Sequence, residues 1–277
     1  MMKPDAAAQE PIVARLVHRS VLVEQSGQAS VFKLMFNLRP QGRAFEAGSD
    51  VAFAVPGGTE GAPELRYYTI ESVGQVPFED SIDITIYVRE LNSGHGSGTA
   101  HHLIGLQTDD SVALYGPYPY PFYVPMGSRS NMILIGAGSG MVPFRWLAQK
   151  VQARRLDWMG KVLMLEGDHT GLEHLYHNHA SDDRHQYFDA PSFRAFEALK
   201  TRYSASALDR GESVAGNMDA LWRLIGQGSV YVYLAGYRGV AEAMHEAMER
   251  HLRLPGRWAD AKAALVRDGH WLEYLYG

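Results

Sequence analysis

From Pro11 to about Pro125 the chain is a series of short apolar runs punctuated by glycine and proline. Ile12–Val23 and Val31–Leu38 are rich in valine, leucine and phenylalanine, with Gly27 as a turn between them. Val51–Val55 runs into Pro56-Gly57-Gly58, a strong breaker. Arg66-Tyr67-Tyr68-Thr69-Ile70 reads as a strand, because aromatic and β-branched residues suit a pleated surface. Ile82, Ile84, Ile86 and Val88 alternate with Asp83, Thr85 and Tyr87, a period of two. Val112–Tyr115 is a last short strand, ended by Gly116-Pro117. Strands of this length and spacing predict a small antiparallel barrel or sandwich. One interruption, Ser93 to Leu103, passes from a glycine-rich loop into a short helix.

After Pro125 the rhythm changes. Met132–Ile135 is an apolar run of the buried-strand type, followed by Gly136-Ala137-Gly138-Ser139-Gly140. Met141–Val151 then places Val142, Trp146, Leu147 and Val151 on roughly one helical face. Lys161–Leu165 and Val230–Ala235 are further buried strands, the second followed by Gly236 and a helical pattern over Val240–Leu252. Strands alternating with helices predict a parallel sheet. The expected organisation is a disordered tail over 1–11, an antiparallel β-barrel domain over 12–128 and an α/β domain with a parallel sheet over 129–277.

Composition narrows the function. A chain of 277 residues with 46% hydrophobic and 21% charged residues suits two globular domains. The formal charge of −5 gives no electrostatic case for nucleic acid or an anionic membrane surface. No apolar run approaches the roughly 20 residues needed to span a bilayer, and the polar start has no apolar core of a signal peptide. The expected location is the cytoplasm. There is no cysteine, so the chain carries no disulfide, thiolate-bound metal, cysteine-ligated iron–sulfur cluster or cysteine nucleophile. Any redox centre must be a bound cofactor or belong to a partner.

Three stretches carry chemistry. In Arg66–Ile70 a cation, aromatic rings and a hydroxyl are packed closely. A guanidinium takes phosphate as a fork, a ring lies on a flat heterocycle and Thr69 bonds a polar edge; an ordinary amphipathic strand with a surface arginine fits the same letters. Gly136–Gly140 lies between a buried strand and a helix. Backbone amides there suit a phosphate, although tight turns also collect glycine. The loop around Gly94–Gly98 has the same two readings. His174, His177 and His179 do not share one helical face and read as surface histidines, so no metal site is expected. Ser139 does not sit in a nucleophile-elbow pattern. Trp258, Trp271, Tyr274 and Tyr276 crowd the last twenty residues, either as core packing or as cover for a flat ligand.

In this order the motifs resemble those of the ferredoxin–NADP reductase-like flavoenzymes, especially the plant-type reductases and the reductase component of benzoyl-CoA epoxidation. Arg66-Tyr67-Tyr68-Thr69 is similar to the R-x-Y-[ST] motif, Thr99–Leu103 to the opening of a pyrophosphate-binding helix, and Gly136–Arg145 to G-x-G-[ST]-G-[IM]-x-P-F-R. Tyr231–Gly239 is similar to Y-x-Y-x-C-G-x-[KR]-G, and Trp258 with Trp271–Tyr276 to the plant-type end. The resemblance implies an FAD-binding barrel, an NAD(P)-binding α/β domain and an FAD-dependent oxidoreductase. Such an enzyme takes hydride from NADH or NADPH and passes electrons to a redox partner protein, ferredoxin-like or an oxygenase component. The cofactor-binding residues it implies are Arg66, Tyr68, Thr69, Tyr87, Arg89, Gly98, Thr99, Ala100, Gly138, Ser139, Gly140, Ala235, Gly236 and Tyr276. Thr69 is placed at flavin N5, and Tyr68 and Tyr276 on opposite flavin faces, with Thr69 and Tyr276 as the catalytic pair.

The departures bear on the nicotinamide side. Ala235 stands where the family has a cysteine, Tyr274 where plant-type members carry a glutamate, and Gly277 follows the stacking Tyr276. Ala207 stands where an arginine meets the NADP 2′-phosphate, and the adenine-packing tyrosine is missing near Asn217, which tilts the expectation to NADH with Arg210 as a substitute cation. Two alternatives follow: a reductase of a small organic or iron-chelate substrate, and a flavin-bearing subunit that has lost NAD(P)H reactivity.

Overall fold

A computed structural model of the chain describes residues 9–23, 31–55, 63–90, 98–127, 129–153, 160, 162–167, 221–254 and 256–276. The three histidines 174, 177 and 179, the Gly94–Ser97 loop, and Ala207, Arg210 and Asn217 lie outside the described residues. The chain divides into two compact units, the first running to Tyr120 and the second beginning at Pro121.

The first unit holds β1 (Ile12–Val23), β2 (Val31–Leu38), β3 (Asp50–Val55), β4 (Glu64–Thr69), β5 (Ser72–Gln75), β6 (Ile82–Arg89), the helix α1 (Gly98–Gly105) and β7 (Ser111–Tyr118). All pair antiparallel in one seven-stranded sheet ordered β4-β3-β7-β1-β2-β6-β5. The two end strands, β4 and β5, are separated in sequence only by Ile70 and Glu71. Ile70 N–H donates to Ser49 O and Glu71 N–H to Thr85 O, both at 2.8 Å. One bent stretch of chain therefore runs from one end strand to the other, and the sheet curls around its core in a barrel-like form that strand pairing does not close.

That core is apolar and follows strand alternation: Leu34 and Phe36 of β2, Val51, Phe53 and Val55 of β3, and Ile84, Ile86 and Val88 of β6 are all buried. Phe36 and Phe53 meet at 4.9 Å between ring centroids. Leu103 and Ile104 of α1 close onto the same cluster. Two details differ from the sequence expectation. Thr85 and Tyr87, on the polar side of the alternation, are buried as well, so β6 is covered on both faces. The strand Val112–Tyr115 also does not stop at Gly116-Pro117: β7 runs on to Tyr118, and its pairing with β3 shifts between Asp50 and Ala52. A bulge is where a strand tolerates a residue without an amide proton.

The second unit holds β8 (Asn131–Ala137), a 3-10 turn (Gly138–Met141), α2 (Val142–Ala153), β9 (Val162–Gly167), β10 (Val230–Tyr237), α3 (Arg238–Leu252), α4 (Arg257–Arg267) and β11 (Trp271–Tyr276). Its four strands are parallel, in the order β11-β10-β8-β9. Ile133, Ile135, Val232 and Leu234 pack against Met244, Met248, Trp258 and Trp271. Trp258 and Trp271 meet edge to face at 5.6 Å, so these two aromatics of the tail are core. On the other side of β10, Phe122 stacks on Tyr233 at 5.0 Å and lies 5.1 Å from Phe144. Residues just after Tyr120 are thus packed into the second unit. Among the described residues no helix is long and apolar enough to cross a membrane.

Candidate functional site

In the first unit the chemistry gathers on β4, an end strand of the sheet. Alternation turns Tyr68 and Ile70 towards the barrel core, where Tyr68 meets Phe53 edge-on at 5.9 Å. Tyr67 turns to the opposite face and meets Tyr118 at 5.5 Å. Arg66 shares the Tyr68 side of the strand, is exposed, and its Nη2 forms an ion pair with Glu64 Oε1. Thr69 lies on the Tyr67 side, and its hydroxyl donates to Asp50 Oδ1 at 2.8 Å. Successive strand amides point to alternate sides. Because Ile70 N–H points at β3 and Glu71 N–H at β6, the Thr69 amide faces the sheet edge, away from β3. An exposed guanidinium, a half-buried ring, and an edge amide beside a hydroxyl suit a flat, phosphorylated ligand with a polar rim.

Burial pushes the Tyr68 phenol up to about 12, offset in part by the Arg66 cation and reinforced by the Glu64 carboxylate. The ring is therefore neutral through the working range. A folded value above the ordinary 10.0 ties stability to the protonated phenol. That stability is complete below pH 10 and is lost as pH rises towards about 12. Tyr68→Phe is expected to flatten the alkaline decline in unfolding free energy over that window, measured by urea unfolding at a series of pH values. Parallel declines in the two proteins would contradict the assignment.

The other expected first-unit residues lie nearby in the fold. Tyr87 is buried on β6 opposite Lys33. Arg89 ends β6, and its side chain lies outside the described residues. Gly98, Thr99 and Ala100 form the first turn of α1, whose leading amides lack intrahelical partners and suit an anion; Ala100 also packs against the barrel core.

In the second unit the residues expected from the sequence lie where the sheet order reverses. From β8 the chain proceeds to the neighbour on one side, β9, and from β10 to the neighbour on the other, β11. The crevice beyond the carboxyl ends of two such strands is where open α/β sheets take ligands. Gly138, Ser139 and Gly140 form the turn after β8, and Ala235 and Gly236 close β10, with Ala235 level with Gly136. The fit is tight. A Cβ on Gly140 would sit 2.3 Å from Ala235 O, and one on Gly136 would sit 2.5 Å from Met141 Sδ and 3.0 Å from Gly140 O. These two glycines are required by packing, so the turn and the end of β10 are held as one surface. Behind it the Tyr233 hydroxyl donates to Tyr123 O at 2.9 Å, and burial, then the neighbouring tyrosines, drive its pKa up.

Tyr276 pairs in register with Tyr237 at the end of β11; its side chain lies outside the described residues. The carboxylate next to the substituted position, Glu273, is engaged elsewhere: Trp271 Nε1 donates to it at 2.6 Å and Lys262 Nζ pairs with it at 2.6 Å. It does not stand in for the glutamate that Tyr274 replaces. Asp50 was not legible as the partner of Thr69, since the two meet only when β3 pairs with β4. Among the described residues no group of three or more potential ligands gathers to hold a metal.

No protein-family model matches the chain. It is 25% identical over 280 residues to the ferredoxin–NADP reductase of Thermosynechococcus vestitus, spanning 94% of this chain and 72% of the relative. It is 22% identical to that of Spirulina, over 95% and 94% of the two chains. Among solved structures it is similar to the ferredoxin-NADP+ reductase from Plasmodium falciparum, with a TM-score of 0.62, 14% identity and 96% of each chain covered. An Amycolatopsis cytochrome P450 reductase matches with a TM-score of 0.58 and 20% identity, over 96% of this chain and 69% of that one. The structural likeness establishes the two-domain fold, and both of these sequence relatives are named ferredoxin–NADP reductase. Along nearly its whole length the chain is thus similar to ferredoxin–NADP reductases, and it shares their two-domain fold.

Proposed function

We propose that this chain is an FAD-dependent oxidoreductase that takes hydride from NAD(P)H and passes electrons to a redox partner protein. The observation that carries the reading is β4: an exposed Arg66, a half-buried Tyr68 and the Thr69 amide and hydroxyl lie within four residues of one sheet edge. In this reading Arg66 and the first turn of α1 hold the FAD pyrophosphate, Tyr68 lies on one face of the flavin and Thr69 meets its polar rim. Tyr87 and Arg89 belong to the same set, and Tyr276 covers the opposite face until nicotinamide displaces it. The Gly138–Gly140 turn with Ala235 and Gly236 seats the nicotinamide nucleotide. When bound, the flavin supplies the redox chemistry, accepting two electrons and releasing them singly; the protein supplies position, charge and exclusion of water. Relatives named ferredoxin–NADP reductase support an electron-carrier protein as acceptor. The missing 2′-phosphate arginine at Ala207 favours NADH.

Anaerobic titration of the FAD-loaded protein with each nicotinamide tests this. NADH is expected to bleach the flavin absorbance, and NADPH to do so less readily. A second reading draws on the buried Ala235 in place of a thiol: a flavin-bearing subunit without NAD(P)H reactivity. It predicts bound flavin that neither nucleotide bleaches. Protein that takes up no FAD would refute both.

A further inference from the structure

Asp50 is the first residue of β3 and stands directly opposite Thr69 in the β3–β4 register. Only 4% of it is exposed. Burying a carboxylate is costly without hydrogen-bond partners, and one of its partners is the Thr69 hydroxyl at 2.8 Å. A hydroxyl has a single proton to donate and two lone pairs to offer, while an ionised carboxylate only accepts. With the proton directed at Asp50, Thr69 Oγ1 has only lone pairs left for any other neighbour.

We infer that Asp50 is a positioning residue that fixes the Thr69 hydroxyl as a hydrogen-bond acceptor towards a ligand docked on the β4 edge. The inference rests on the flavin reading and deepens it. Flavin N5 is an acceptor in the oxidised ring and an N–H donor in the reduced ring. An oxygen held as an acceptor therefore matches reduced flavin and mismatches oxidised flavin. Asp50 needs no contact with the ring to set this preference. A free Thr69 hydroxyl, by contrast, rotates and serves either state.

The test is the two-electron midpoint potential of the FAD-loaded full chain, measured for the natural protein, Thr69→Val, Asp50→Ala and the double variant. Removing the hydroxyl while Asp50 is present is expected to lower the reduced-to-oxidised affinity ratio about three- to tenfold, a fall of about 15–30 mV for a two-electron couple. In the Asp50→Ala background the hydroxyl is free to donate to oxidised N5, so the same substitution is expected to leave the potential unchanged or raise it. The charge of Asp50 cancels in this comparison, since each Thr69 step is taken at constant residue 50. Asp50→Asn keeps an acceptor oxygen and is expected to restore the downward Thr69→Val step. An equal fall in both backgrounds overturns the inference while leaving the flavin reading intact, whereas a natural protein that takes up no FAD overturns that reading itself. Should Asp50→Ala not fold, the nitrogen NMR shift of N5 in oxidised flavin decides the matter. It is expected to be unmoved by Thr69→Val, and a displaced shift would show that Thr69 donates and would overturn the assignment.

Discussion

Replacing Gly140 with alanine is expected to destabilise the second unit by about 3 kcal/mol and to cut NAD(P)H-driven flavin reduction at least tenfold. The added Cβ would sit 2.3 Å from Ala235 O, 2.6 Å from Ala235 C and 2.9 Å from Gly236 N. All three are backbone atoms of β10, a strand paired on both sides by β8 and β11, so they cannot yield as the end of a flexible side chain would. The 3-10 turn must move instead, and with it the amides proposed to face the nucleotide. Gly74→Ala is the contrast: nothing lies within 4 Å of its added Cβ, and its effect is expected within about 0.5 kcal/mol. Urea unfolding and anaerobic stopped-flow reduction measure the two consequences. FAD uptake, a property of the first unit in this reading, is expected to survive. A Gly140→Ala protein that unfolds and is reduced like the natural one would refute the close packing of turn and strand.

How far such a site can be read from sequence depends on whether its cause is local. Ile82–Val88 and Met132–Ile135 were legible because period and apolar run length are properties of a few adjacent residues. Gly136–Gly140 was legible as a special turn but not as a packing requirement, because Ala235 lies far along the chain and only the β8–β10 register brings it there. The same distance hid Asp50, which gains meaning only when β3 pairs with β4 and sets it against Thr69. Gly116-Pro117 misled for the converse reason. Locally it is a strong breaker, yet pairing with β3 carries the strand through it to Tyr118 by way of a bulge. The burial of Thr85 and Tyr87 likewise contradicts their local place in the alternation. Patterns set by neighbours in sequence were legible, whereas contacts made only by strand pairing, Gly140 against Ala235 and Asp50 against Thr69, were not.

Arg66→Ala is expected to weaken FAD binding about a hundredfold, the cost of losing a charge-assisted fork worth about 3 kcal/mol. In the structure the guanidinium is exposed and paired with Glu64, and that pair sets up a competition. An exposed pair of single charges is worth under about 1 kcal/mol, whereas a pyrophosphate offers two charges and several acceptor oxygens to the same fork. The ligand is therefore expected to win the guanidinium, with Glu64 as a weak brake. Glu64→Gln should tighten FAD binding by less than about fivefold, while Arg66→Lys, which keeps the charge and loses the fork, should fall between the natural protein and Arg66→Ala. Fluorescence titration of apoprotein with FAD at low and high salt reads all three. The Arg66→Ala affinity should also depend less on salt, because the cation that meets the phosphates is gone. Riboflavin, which lacks the pyrophosphate, supplies the decisive control: its weaker binding should be nearly indifferent to residue 66. An Arg66→Ala protein that holds FAD as tightly as the natural chain would remove Arg66 from the site and return β4 to the status of an ordinary edge strand.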